Sequence, residues 1–214
     1  MEPCYLYVVF SSTNSGVAKF IRVMTRNFYN HTSVAVDPSL KKMYSFARRH
    51  KNAPFISGFI TEKPGRYLDE GQDITIKICK VPVDEKTFRL ASDTISRYRN
   101  SPDVTYYNYI SALTSVFRLR LHMQDCYTCV EFSSSMIGDE NTCVIHDLEK
   151  RLKEYVVYEG SYKKYIGEYI SDDKEYFTPV KQPDLIFQTV GLMLYVASHL
   201  FLGIFRKGKK TTSA

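Results

Sequence analysis

Thr128-Cys129-Val130-Glu131 places a thiol where a helix should begin. A Thr hydroxyl and a Glu three residues later form a capping box, each satisfying one of the first free amides of the helix. Phe132, Met136 and Ile137 give that helix an apolar face, and Gly138 stands where a C-terminal cap belongs. Cys129 then takes the first helical position. Unpaired N–H groups and the positive end of the helix dipole lower a thiol's pKa there and make it nucleophilic. A thiolate in this role needs a general base. His31 begins an alternating stretch, His31–Asp37, that reads as a strand, and it is the best positioned of the histidines. His50 lies in a basic run, His122 and His146 in helical segments, and His199 in a long apolar stretch.

The same cysteine admits two other chemistries. Cys126-Tyr127-Thr128-Cys129 is a CxxC pair that could act as a redox dithiol. Cys126, Cys129, Cys143 and His146 also have finger-like spacing for zinc. The apolar helix and capping box between the two pairs fit a nucleophile at a helix start better, so no cofactor and no metal are expected.

The elements that would carry these residues follow from periodicity. Tyr5–Phe10 is an apolar run with the look of a central strand, and Val17, Phe20, Ile21 and Met24 have helical spacing. After Pro38–Lys42 turns the chain, Met43–Ala47 is the partner of the His31 strand in a hairpin. Arg48–Pro54 reads as a basic loop, Gly58–Thr61 is ambiguous, and Lys63–Arg66 is a turn. Ile74–Val81 alternates as a strand, and Asp84 caps a helix running to about Asn100 with Phe88, Ala91, Ile95 and Tyr98 on one side. Tyr106–Leu121 and Ile145–Tyr155 read as helices, Val156–Gly160 as a last strand or turn, and Ser161–Asp184 as a polar, tyrosine-rich lid or linker.

The 214 residues hold one sizeable domain, and the composition is that of a folded protein. A net charge of +6 suits an anionic surface without selecting one; no nucleic acid is expected. Five cysteines without framework spacing, and an N-terminus without the pattern of a signal peptide, imply reduced thiols in a cytosolic domain. Leu185–Phe205 carries no formal charge and, at about 1.5 Å per residue, is long enough to span a bilayer core of roughly 30 Å. Arg206, Lys207, Lys209 and Lys210 follow it. A single-pass C-terminal membrane anchor is expected, although the positive-inside rule taken alone would put the domain on the other side.

Together these segments resemble the circularly permuted branch of the NlpC/P60, papain-like superfamily, whose relatives include lecithin:retinol acyltransferase-like proteins. In that branch a strand-borne histidine precedes a helix-start cysteine. The matching stretches are Tyr29–Asp37, Met43–Arg48, Asn52–Phe59, Cys129–Phe132 and Tyr158–Gly160, and the likeness covers roughly residues 5–168. It implies an α+β fold, an antiparallel sheet packed with helices, over residues 1–168. A linker at 169–184, the hydrophobic helix at 185–205 and a basic tail at 206–214 would follow. It also implies Cys129 as nucleophile, His31 as base, and a polar orienting residue on the next strand. That strand offers Ser45, with Asp37 at the hairpin as a rival. The implied reaction is hydrolysis or acyl transfer at an amide or ester through a thioester, on a lipid or peptide substrate near a membrane. The alternative is a membrane-tethered binding module of the same fold, touching acidic headgroups through Arg48-Arg49-His50-Lys51.

Overall fold

The structure, a computed structural model, describes residues 3–13, 27–69, 72–115, 123–170, 173–181, 186 and 189–191. The protein is α+β. Its main sheet has six antiparallel strands, formed by β1 (Cys4–Ser12), β2 (His31–Ala35), β3 (Met43–His50), β4 (Ala53–Glu62), β5 (Thr75–Val83) and β8 (Val156–Ser161). The strand order is β4-β3-β2-β1-β5-β8. A short parallel pair, β6 (Tyr106–Tyr107) and β7 (Cys126–Tyr127), forms a second, two-stranded sheet. The helices are α1 (Gly65–Leu68), α2 (Glu85–Asn100), α3 (Tyr109–Thr114), α4 (Cys129–Met136), α5 (Ile145–Arg151), α6 (Tyr162–Ile166) and α7 (Lys174–Phe177).

β1 lies inside the sheet and is buried on both faces, which is why its sequence is a continuous apolar run. Leu6, Val8 and Phe10 point to a core shared with Phe46, Phe59, Ile95, Tyr98, Phe132 and Leu148, so α2, α4 and α5 cover that face. Val9 joins Ala35, Met43, Ile76 and Ile78 on the opposite face, closed by Leu68 and Tyr162 from the short helices. Asp84 accepts a hydrogen bond from the Thr87 amide and starts α2 where expected.

Three expectations change. The basic stretch after Ala47 is not a loop: β3 runs to His50, and β4 returns from Ala53 with Ala47 opposite Gly58 and Met43 opposite Glu62. Gly58 is required there, because a Cβ would lie 2.4 Å from the Thr105 carbonyl oxygen. Tyr106–Leu121 is not one helix. Tyr106 and Tyr107 pair with Cys126 and Tyr127, and Asn108 caps α3 by accepting from the Ser111 amide, so backbone pairing and a local cap break the helical register. Finally, the segment read as a lid or linker contains α6, whose Tyr162 is fully buried, and α7, which docks on β3. The helix expected over Val17–Met24 and residues 116–122 lie outside the described residues.

Candidate active site

The capping box forms as the sequence requires. Thr128 Oγ1 accepts from the Glu131 amide at 3.1 Å, and the Thr128 amide donates to Glu131 Oε2 at 2.8 Å. Cys129 is thus the first residue of α4, with 6% of its surface exposed. α4 packs across β2 and β3, which brings Cys129 to the beginning of β2. There its sulfur faces the His31 imidazole, the Thr32 amide and the hydroxyl of Tyr107.

β2 divides its side chains between the two sides of the sheet. Thr32 and Val34 take the side that α4 covers; His31 and Ser33, two residues apart, share the other. His31 Nε2 is 2.6 Å from Glu62 Oε1. That contact leaves Nδ1 as the ring nitrogen for the thiol. Glu62 ends β4 and is fully buried. Its carboxylate accepts from Ser33 Oγ at 2.6 Å, from Ser45 Oγ and from the Tyr67 hydroxyl as well as facing His31.

The electrostatics follow from this enclosure. Burial alone would push the His31 pKa down, but the Glu62 charge and the hydrogen bonds to Cys129 and Glu62 outweigh it and raise it well above the ordinary histidine value. Burial would raise the Glu62 carboxyl, and the His31 charge and hydrogen bond, then Arg66 and Ser33, hold it below the usual carboxylate range instead. Burial likewise works against a Cys129 thiolate. The hydrogen bond and charge of His31, followed by the Thr32 amide, bring the thiol below its ordinary value. Imidazolium and thiolate therefore support each other.

Ser45 and Asp37 were the two sequence candidates for the group behind the imidazole, and Glu62 stands in that place. Ser45 lies one step further back and holds Glu62. Asp37 accepts from the amide and hydroxyl of Ser39 and shapes the hairpin turn. Glu62 carries no local signal, because the charged run Arg48–Pro54 has the composition of a loop and conceals the β3–β4 hairpin. Once Met43 is paired with Glu62, the alternation Gly58, Ile60, Glu62 ends in a carboxylate on the side that carries Ser45. Tyr107 lies in a stretch with helical spacing, so its pairing with Tyr127 has no local signal either.

Among the described residues neither a disulfide nor a metal-binding cluster joins Cys126 and Cys129. All five cysteines are free thiols. Cys126 is buried, and burial pushes its pKa up to about 12, the opposite of an attacking dithiol. Among the described residues no group of three or more His, Cys, Asp or Glu could hold a metal ion. The basic stretch on β3 is committed internally. Arg48 donates to the Lys51 carbonyl and the Tyr176 hydroxyl, Arg49 pairs with Asp103 at 2.8 Å, and His50 Nδ1 lies 3.0 Å from the Glu175 carbonyl.

No family model matches the chain, and no curated protein or solved structure matches it either. Among the described residues no helix is long and apolar enough to cross a membrane. Leu185–Phe205 lies outside the described residues apart from Ile186 and residues 189–191.

Proposed function

We propose that the protein is a cysteine hydrolase or acyltransferase with a permuted papain-like domain, using Cys129, His31 and Glu62. The observation that carries this reading is His31 between the buried Glu62 carboxylate and a sulfur at the first position of a helix. The order of the elements, histidine strand first and cysteine helix later, supports the family likeness.

The thiolate of Cys129 attacks an ester or amide carbonyl carbon. A C–S bond forms, and the carbonyl π pair moves onto oxygen. The Cys129 amide, at a free helix N-terminus, and the Tyr107 hydroxyl are donors near enough to the sulfur to receive that oxyanion. Collapse expels the alcohol or amine, which takes the imidazolium proton from His31 and leaves a thioester. Neutral His31 then removes a proton from water, or from an acceptor alcohol or amine, as its oxygen or nitrogen attacks the thioester. Cys129 departs as thiolate and His31 is again imidazolium. Glu62 never changes protonation; it orients the ring and stabilises its charge, as Ser33, Ser45 and Tyr67 orient Glu62. In this reading Leu185–Phe205 anchors the domain beside a membrane, on the cytosolic side, where lipid or peptide substrates are held.

The test is alkylation by iodoacetamide near pH 6.5, followed by peptide mapping. Cys129 should react faster than Cys4, Cys79, Cys126 and Cys143, and His31→Ala should abolish the difference. Equal slow labelling of all five cysteines in the native protein would refute the dyad. Protease protection in sealed vesicles reports the anchor and its side.

A further inference from the structure

Thr32 follows His31 on β2, and strand alternation sends the two side chains to opposite faces of the sheet. His31 goes to the Glu62 side. Thr32 goes to the side that α4 covers, where Cys129 starts the helix. β2 pairs with β3 through Val34 and Tyr44, two residues further on, and the Thr32 amide faces the Cys129 sulfur instead. The hydroxyl of the same residue borders the sulfur without bonding to it. It is fully buried and has no hydrogen-bond partner among the described residues.

A hydroxyl shut away from water ordinarily finds an acceptor, because an unpaired one costs free energy. The neighbours of Thr32 are carbon. Phe10 opposite it on β1 and Val34 next on the same face belong to the apolar core that Val130 and Phe132 of α4 complete.

Acyl transfer at Cys129 supplies the acceptor. When the thiolate attacks a carbonyl carbon, a C–S bond forms and the π pair becomes a negative oxygen one bond from that carbon. The Cys129 amide, at the start of α4, lies on the Thr32 side of β2. His31 leaves the strand on the other side, where it can protonate the leaving group. A hydroxyl that is unpaired beforehand has no bond to give up as the charge appears. Away from water its dipole also acts more strongly on that charge. Such a contact exists in the tetrahedral state and not in the resting enzyme, so it favours the transition state selectively.

We infer that the Thr32 hydroxyl donates to the oxyanion, beside the Cys129 amide and the Tyr107 hydroxyl. It keeps its proton throughout. The hydrogen bond forms as negative charge builds on oxygen and is lost when the carbonyl is restored and the alcohol or amine departs. The inference rests on Cys129 being the nucleophile of the proposed reaction.

The experiment compares two reactions of Cys129 in the full chain. Acetylation by p-nitrophenyl acetate is read as p-nitrophenolate release, corrected with Cys129→Ala, and alkylation by iodoacetamide is read by peptide mapping. Acetylation passes through an oxyanion. Alkylation displaces iodide from a saturated carbon and forms none. The ratio of the two rates, divided by the same ratio for glutathione, isolates oxyanion stabilisation and should be at least about 10² in the native protein. Thr32→Val keeps the branched shape that a strand favours and should slow acetylation by about 10²-fold while leaving alkylation unchanged. Thr32→Ser, which keeps the hydroxyl, should retain the ratio. Ser133→Ala removes another buried, unpaired hydroxyl one turn along α4 from Cys129, and should retain it too. Thr32→Ala gives the same readout should Thr32→Val fail to fold. A native ratio no higher than that of glutathione, or one that survives the loss of the hydroxyl, would overturn the inference. So would an equal fall in Ser133→Ala, or an equal slowing of both reactions in Thr32→Val, which would place the action of the hydroxyl on the sulfur. Failure of Cys129 to alkylate faster than the other cysteines would instead remove the nucleophile, so the two failures separate.

Discussion

Replacing Glu62 with Gln removes the charge that lets a buried imidazole stay protonated. The side chain keeps its shape and can still accept from Ser33 and Ser45, so the effect is mainly electrostatic. Without the carboxylate, burial becomes the leading influence on His31, and the ring is neutral at neutral pH. A neutral ring no longer holds a proton against the thiolate, and Cys129 returns towards an ordinary thiol. With a thiol pKa of about 8.5, roughly one molecule in a hundred is ionised at pH 6.5. Glu62→Gln should therefore slow iodoacetamide alkylation of Cys129 at pH 6.5 by up to about a hundredfold, with the gap closing as pH rises above about 9. The measurement is a pH profile of the labelling rate, with circular dichroism to show that the variant is folded. An unchanged rate and profile in a folded variant would show that Glu62 does not set the charge of His31, and the account of the triad would fail.

Tyr107→Phe removes one donor beside the sulfur and should lower kcat on an activated ester by about 10²-fold with a smaller change in KM. Thr128→Ala deletes one half of the capping box and should cost about 1 kcal/mol in urea unfolding, with a rise in the Cys129 alkylation pKa as the helix start frays. The pH dependence of stability has a defined window. Glu62 is depressed, so its contribution is present above its unfolded value of about 4.3 and lost as pH falls through the folded one. His31 is raised, so its contribution is full below about 6.5 and is lost as pH rises through the folded value. The stability difference between the native protein and Glu62→Gln should thus be greatest between about pH 4.3 and 6.5, read as the difference in thermal midpoint.

Local chemistry made the nucleophile legible. A capping box is written in four consecutive residues, and the first turn of a helix needs nothing else to place Cys129. His31 was legible for a similar reason, since it opens a strand of clear alternation. Glu62 depends on a strand pairing with Met43, nineteen residues away in sequence. No local pattern marks it, and the charged run Arg48–Lys51 looked like a solvated loop. In the fold those cations bind carbonyls, an aspartate and the aromatic side chains of α7, partners that arrive from elsewhere in the chain. Tyr107 was hidden in the same way, because its strand partner lies beyond Asp125. Periodicity made most of the individual strands and helices readable, while the α+β arrangement around an antiparallel sheet was implied by the family resemblance. The extent of β3 and β4 was not readable, because polar residues on a sheet flank give no alternating apolar signal.

The clasp between the β3–β4 hairpin and α7 also sets a tether length. The Lys51 amide donates to the Tyr176 carbonyl at 2.8 Å, Arg66 lies 3.9 Å from the Tyr176 ring centre, and the Val180 amide donates to Asn52 Oδ1 at 3.3 Å. Val180 is the last described residue that the clasp holds, and the hydrophobic stretch begins five residues later at Leu185. Even fully extended, that span reaches less than about 20 Å. If Leu185–Phe205 is the anchor proposed above, its first residue lies within that reach of Val180, so the hairpin tip that Val180 is bonded to stays close to the anchored surface.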